Sequence, residues 1–204
     1  MKKSDKTRQL IIDKAADLFN KQGYSGTSMS DIMEATGLSK GAIYGNFKRE
    51  GEDKKGVKEE IAVAAFEHAI SKVLDAVGRR TRIIENTIDK LKAVVYYYKE
   101  RILNPPVAGG CPIQNTAIEM DDNHLTLRRY VMDSIDRWQE RLIYTLEKGK
   151  RRGEVREDLN TQEFAINFIA TLEGGIMLTQ LYKDSQYFNT VSRQLLHMIE
   201  DCKA

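Results

Sequence analysis

The sequence predicts an all-α chain: a three-helix head containing a helix-turn-helix, followed by a C-terminal helical bundle. Apolar residues recur at spacings of three and four along most of its 204 residues. All three prolines, Pro105, Pro106 and Pro112, fall in one short window, so the rest of the chain holds no obligatory helix breaker. No alternating strand pattern of useful length occurs.

The first helix is read from Ile11, Ala15, Leu18 and Phe19, which share a face and leave Asp13, Lys14, Asp17 and Lys21 outside; it should end near Gly23. After Thr27, Ser28 stands three residues before Asp31, a capping-box spacing that opens a short second helix carrying Met29, Ile32 and Met33. Gly37 closes that helix. Ser39 is the next N-cap and opens a third helix ending at Phe47, on which Ile43 and Phe47 point inward. Gly41 and Ala42 are small enough for the backbone to approach a groove floor. Lys40, Tyr44, Asn46 and Lys48 then reach phosphates or base edges.

The order GYSGTSMSDI followed by GLSKGAIYGNF resembles the DNA-binding domain of the TetR family of transcriptional regulators over about forty residues. The expected DNA-binding residues are Thr27, Ser28, Ser39, Lys40, Gly41, Ala42, Tyr44, Asn46 and Lys48. Charge agrees with this. The formal net charge is only +2, but residues 1–49 hold nine lysines and arginines against five acids, so the head carries +4 and the remainder −2. A basic head on a mildly acidic body suits phosphate binding at one end.

The head is expected over residues 1–60, including a polar insertion at about 49–58, and the body over 61–204. In the family the third helix leads almost directly into the fourth; here REGEDKKGVKEE intervenes. The insertion leaves Lys48, Lys55 and Lys58 as candidates for the phosphate-contacting lysine that the resemblance implies at the start of the fourth helix, with Lys48 favoured.

Five or six body helices follow from five apolar stripes: Phe66 to Val77, Ile84 to Ile102, Leu127 to Leu146, Phe164 to Ile176, and Val191 to Met198. The resemblance in plan implies a homodimer formed through the last two long helices and a ligand cavity in each body. Residues 161–182 are apolar on more than one face and so need two neighbours. Leu172, Gly175, Leu178, Val191 and Leu195 are the expected dimer residues. Gly174 and Gly175 fall inside this helix, where each costs up to ~1 kcal/mol relative to alanine. Close approach at a dimer seam, room for a ligand and a helix break are three readings of the pair.

In the loop NPPVAGGCPIQN, Pro112 is suited to the first position of a helix, which places Cys111 at the N-cap. A reactive-compound sensor and an inert packed thiol are the two readings of Cys111. The pocket expectation takes in Tyr97, Cys111, Met120, Trp138, Phe168 and Met177.

Two cysteines make no disulfide framework, and the three histidines, His68, His124 and His197, form no metal pair or catalytic triad. No cofactor, metal or enzymatic role is expected. No apolar run of about eighteen residues and no hydrophobic leader is read, so a cytoplasmic protein is expected. Its expected partners are a double-stranded DNA operator, a small-molecule inducer and a second copy of itself. The first functional expectation is a ligand-responsive repressor released from a palindromic operator by a small molecule or reactive compound. The alternative is a small helical enzyme or carrier that keeps the head for structure alone.

Overall fold

The computed structural model describes residues 3–47, 56–120 and 124–204. Among them the chain forms helices only, apart from a single isolated bridge between Val155 and Lys203. They are α1 (Lys3–Gly26), α2 (Met29–Thr36), α3 (Lys40–Phe47), α4 (Gly56–Thr81), α5 (Thr87–Arg101), α6 (Pro112–Glu119), α7 (Leu125–Arg151), α8 (Thr161–Tyr182) and α9 (Ser185–Glu200). Asn86 caps α5 by accepting from Asp89 N, so the stripe read from Ile84 contributes a helix only from Thr87. The insertion read at 49–58 lies outside the described residues over 49–55, and α4 begins at its Gly56.

Two compact units emerge, and they divide the chain differently from a boundary at residue 60: one holds residues 1–72 and 107–131, the other 73–106 and 132–204. The reason is α4, which runs unbroken to Thr81, together with α6, which packs on α1.

In the first unit Ile11, Ala15, Ala16, Ile32, Ile43 and Phe47 form the buried centre of the head. Gly23 breaks the helical path of α1 with φ 76° and ψ 170°, a region open essentially to glycine alone. The break exposes two backbone amides, and Glu119 of α6 takes both: Tyr24 N and Ser25 N each donate to its carboxylate at 2.5 Å. A Cβ on Gly23 would stand 2.6 Å from Glu119 Oε2, so the kink and the clasp require the same residue. A second clasp runs through buried Asn20, which donates to Ala108 O at 2.9 Å, while Asn115 donates to Asn20 O at 2.9 Å.

In the second unit α8 packs on α9, and α9 on α5. Phe188, Ser192, Leu195 and Ile199 recur at helical spacing as the buried face of α9. Contrary to the reading of the sequence, α8 is long and apolar enough to cross a membrane by length and composition, its most apolar 18-residue window having a mean hydropathy of 1.3. Nine of its residues are buried inside the chain, as in a core helix. Gly175 is one of them. A Cβ there would stand 2.8 Å from Val191 Cγ1 and 3.1 Å from Phe188 Cδ2, whereas one on Gly174 meets nothing within 4 Å. The pair therefore does not break the helix; Gly175 allows α9 to approach, and Gly174 faces open space. Gly174→Ala should leave the fold intact and add up to ~1 kcal/mol of helix preference. Gly175→Ala should destabilise by about 1–3 kcal/mol through overpacking. Paired denaturant titrations read both signs.

Candidate nucleic-acid interface

The turn between α2 and α3 is built by local chemistry that fixes how α3 is presented. Ser28 Oγ accepts from Asp31 N at 3.1 Å while Ser28 N donates to Asp31 Oδ2 at 2.6 Å, closing the capping box. The Ser28 backbone hydrogen bond, seconded by its side chain, holds the Asp31 carboxyl below its usual range. Gly37 ends α2 in the left-handed region, its N–H donating to Met33 O at 2.9 Å. Ser39 Oγ then accepts from Ala42 N at 3.3 Å and starts α3. Beneath it Ile43 and Phe47 are buried, so the opposite side of α3 is turned outward.

On that outer side Ser39, Lys40 and Gly41 are exposed, and Ala42 and Tyr44 are half-buried. The Lys40 ammonium lies 5.6 Å from the centre of the Tyr44 ring, one helical turn away. Gly45 was missed in the sequence reading. It repeats Gly41 four residues on, and a Cβ at either position meets nothing within 4 Å, so the two form one bare strip of backbone.

Three expectations need revising. Thr27 is fully buried and its hydroxyl donates to Gly23 O at 2.7 Å, so it braces the α1 kink and is not presented to a duplex. Asn46 turns its amide nitrogen back onto Ala42 O at 2.8 Å, which spends one of its two N–H donors inside the helix and leaves its oxygen and one donor for reading. Lys58 is held over the Tyr24 ring at 4.2 Å, where burial lowers its pKa against the opposing charges of Glu119 and Asp31. Lys48 and Lys55 lie outside the described residues.

The residues proposed for a ligand pocket fall in two different units. Cys111 and Met120 belong to the first unit, where Met120 packs with Ala62 and Leu127. Tyr97, Trp138, Phe168 and Met177 belong to the second. There Phe168 is wholly buried and stacks on Phe164 at 5.7 Å. Burial raises the Tyr97 pKa, opposed by Arg101, Arg79 and Arg80. Trp138 is half-buried, and Met177 is 44% exposed instead of facing the interior. A cavity of about 30 Å³ lies in the first unit between Phe19, Asn20, Tyr24, Phe66, Thr116 and Glu119. It has room for about two waters, not an inducer. Cys111 stands at the N-cap of α6 as expected, without a side-chain capping bond. Burial pushes the Cys202 thiol up to about 11 and keeps it inert.

Of the expected dimer residues, Leu172 and Leu195 are fully buried and Gly175 is closed by α9, so these three are used up inside the chain's own core. Leu178 and Val191 are half-buried.

Comparison with known proteins agrees with this geometry. Residues 11–49 match the family described as bacterial regulatory proteins, tetR family. Residues 87–195 match the tetracyclin repressor-like C-terminal domain. The chain belongs to the TetR family of transcriptional regulators. A TetR transcriptional regulator from Chloroflexus aurantiacus is 36% identical and superposes with a TM-score of 0.90, covering 100% of this chain and 98% of that one. A TetR-family regulator from Cytophaga hutchinsonii is 33% identical with a TM-score of 0.87, over 100% and 98%. The HTH-type transcriptional repressor DhaR of a Mycobacterium species is 24% identical over 95% of this chain and 94% of its own. The fold of a TetR regulator, with the helix-turn-helix at its N-terminus, thus spans the chain. Its role is transcriptional regulation and not catalysis, which sets aside the enzyme reading.

Proposed function

We propose that this TetR-family regulator is a homodimeric repressor that holds a palindromic operator through two copies of α3 and is released when a small molecule binds its body. The observation that carries the reading is the outer side of α3, where the Gly41–Gly45 strip lies beside Tyr44 and Lys40 on a rigidly capped helix. Bare backbone lets such a helix sit deep in a major groove about 12 Å wide, with Tyr44 against base edges and Lys40 on phosphate. Ser39 joins them at the helix start.

Dimerisation is supported by the second face of α8. Ile166 is 48% and Leu181 71% exposed, and with Gly174 and Met177 they line one side of the helix at spacings of three, four and eight residues. This stripe, bordered by half-buried Leu178, replaces the buried residues first expected at the seam. Operators read by a twofold helix-turn-helix pair have half-sites one duplex turn, ~34 Å, or a multiple of it apart.

The repressor assignment draws on the printed role of DhaR. Release requires the inducer to bind the DNA-incompatible shape more tightly than the DNA-bound one, since equal affinity shifts nothing. Selecting bound fragments from genomic DNA with the full chain should recover an inverted repeat. Recovery of fragments without common sequence, or of a single half-site, contradicts the reading.

A further inference from the structure

The recognition helix carries a cation on an aromatic ring at each end. Lys40 over Tyr44 marks its start; at its finish the guanidinium carbon of Arg8, supplied by α1, lies 4.7 Å from the centre of the Phe47 ring. Phe47 is the last residue of α3 and is 2% exposed, whereas Arg8 is exposed, so Arg8 caps the core at the point where α3 ends. Stacking on a ring holds a guanidinium by its flat face and leaves its in-plane N–H donors available. Among the described residues no carboxylate or carbonyl takes those side-chain donors; the ring contact is the interaction Arg8 makes.

Length places this charge relative to a duplex. Eight residues of helix rise about 12 Å, so α3 is short and both its ends, at Lys40 and at the Arg8 site, lie close to the stretch that enters a groove. A cation fixed at the end of α3 therefore falls beside the groove wall, where the phosphates lie. We infer that Arg8 is a phosphate-contacting residue of the DNA interface, aimed by Phe47 and contributed from outside the helix-turn-helix. The inference rests on the DNA-binding reading of the head and adds to it a contact that fixes register without reading sequence. Arginine suits the position because its planar fork stacks on the ring and still offers paired donors to a phosphate.

The competing account is that the Arg8 stem merely covers Phe47. Arg8→Met separates the two, because it keeps the apolar cover and removes the charge; Arg8→Gln is a second neutral variant, and Arg8→Lys keeps the charge. Binding of each full-length variant to a random-sequence duplex is titrated from about 50 to 200 mM salt, a range over which phosphate contacts dominate the salt dependence. Thermal melts confirm that the compared variants are folded. The salt slope should flatten by about 0.9 for every Arg8 that engages, about 1.8 in a dimer, with Arg8→Lys close to wild type. Preference for operator over random duplex should stay constant. A folded neutral variant with the wild-type slope overturns the assignment. Absence of any operator preference in the wild type instead counts against the regulator reading, and is measured separately.

Discussion

Replacing Tyr44 by alanine is expected to weaken operator binding by about 1–3 kcal/mol, roughly 5- to 150-fold, with little change in stability. The two effects separate because of where the side chain sits. Ile43 and Phe47 hold α3 on the head, whereas Tyr44 lies half-buried on the other side with Lys40 as its ring partner. Removing the ring therefore deletes a reading group and leaves the packing. Affinity for random duplex should fall much less, since that binding is carried by phosphates. Anisotropy titrations on operator and random duplexes, with a thermal melt of the variant, make the comparison. Equal loss on both duplexes would assign Tyr44 to the phosphate backbone.

Phe168→Ala should produce the largest loss of stability, about 3–5 kcal/mol. Phe168 is fully buried at the centre of α8, stacked on Phe164, and α8 can collapse around the missing ring only in part. Against a typical total of about 5–15 kcal/mol, the deficit brings the chain close to unfolding at physiological temperature. Denaturant titration should show a lower midpoint with an unchanged slope. Below the transition the variant should still bind the operator. A loss under about 1 kcal/mol would mean that the Phe168 site is already loosely packed, which favours the pocket expectation for that residue over the closed core.

The head was largely legible because its structure is local. Ser28 with Asp31, Gly37 and Ser39 each act within three or four residues of chain, and turn chemistry at that range can be read from letters alone. What escaped was side-chain commitment. Thr27 and Asn46 each spend a donor on a carbonyl four residues back, an option that nothing in their spacing distinguishes from reaching outward. Arg8 meets Phe47 across 39 positions (47 − 8), beyond any periodicity argument.

In the body, helix existence was readable and face assignment was not. Residues 161–182 are apolar almost all round, so the pattern could not tell that Leu172 is buried and Gly175 meets α9 while Ile166 and Leu181 remain outside. The compact units divide the chain at other points than residue 60 for a similar reason. Glu119 and Asn115 bind α1 from about 95 residues away, which assigns α6 to the head's side of the chain.

The central claim is that α3 reads a specific duplex. Its most direct test is the ratio of affinities for the selected operator and a scrambled duplex of equal length and composition, measured at one fixed salt concentration. The expected preference is at least ~10³-fold, the usual margin of specific over non-specific binding. Equal affinity for the two duplexes would contradict it.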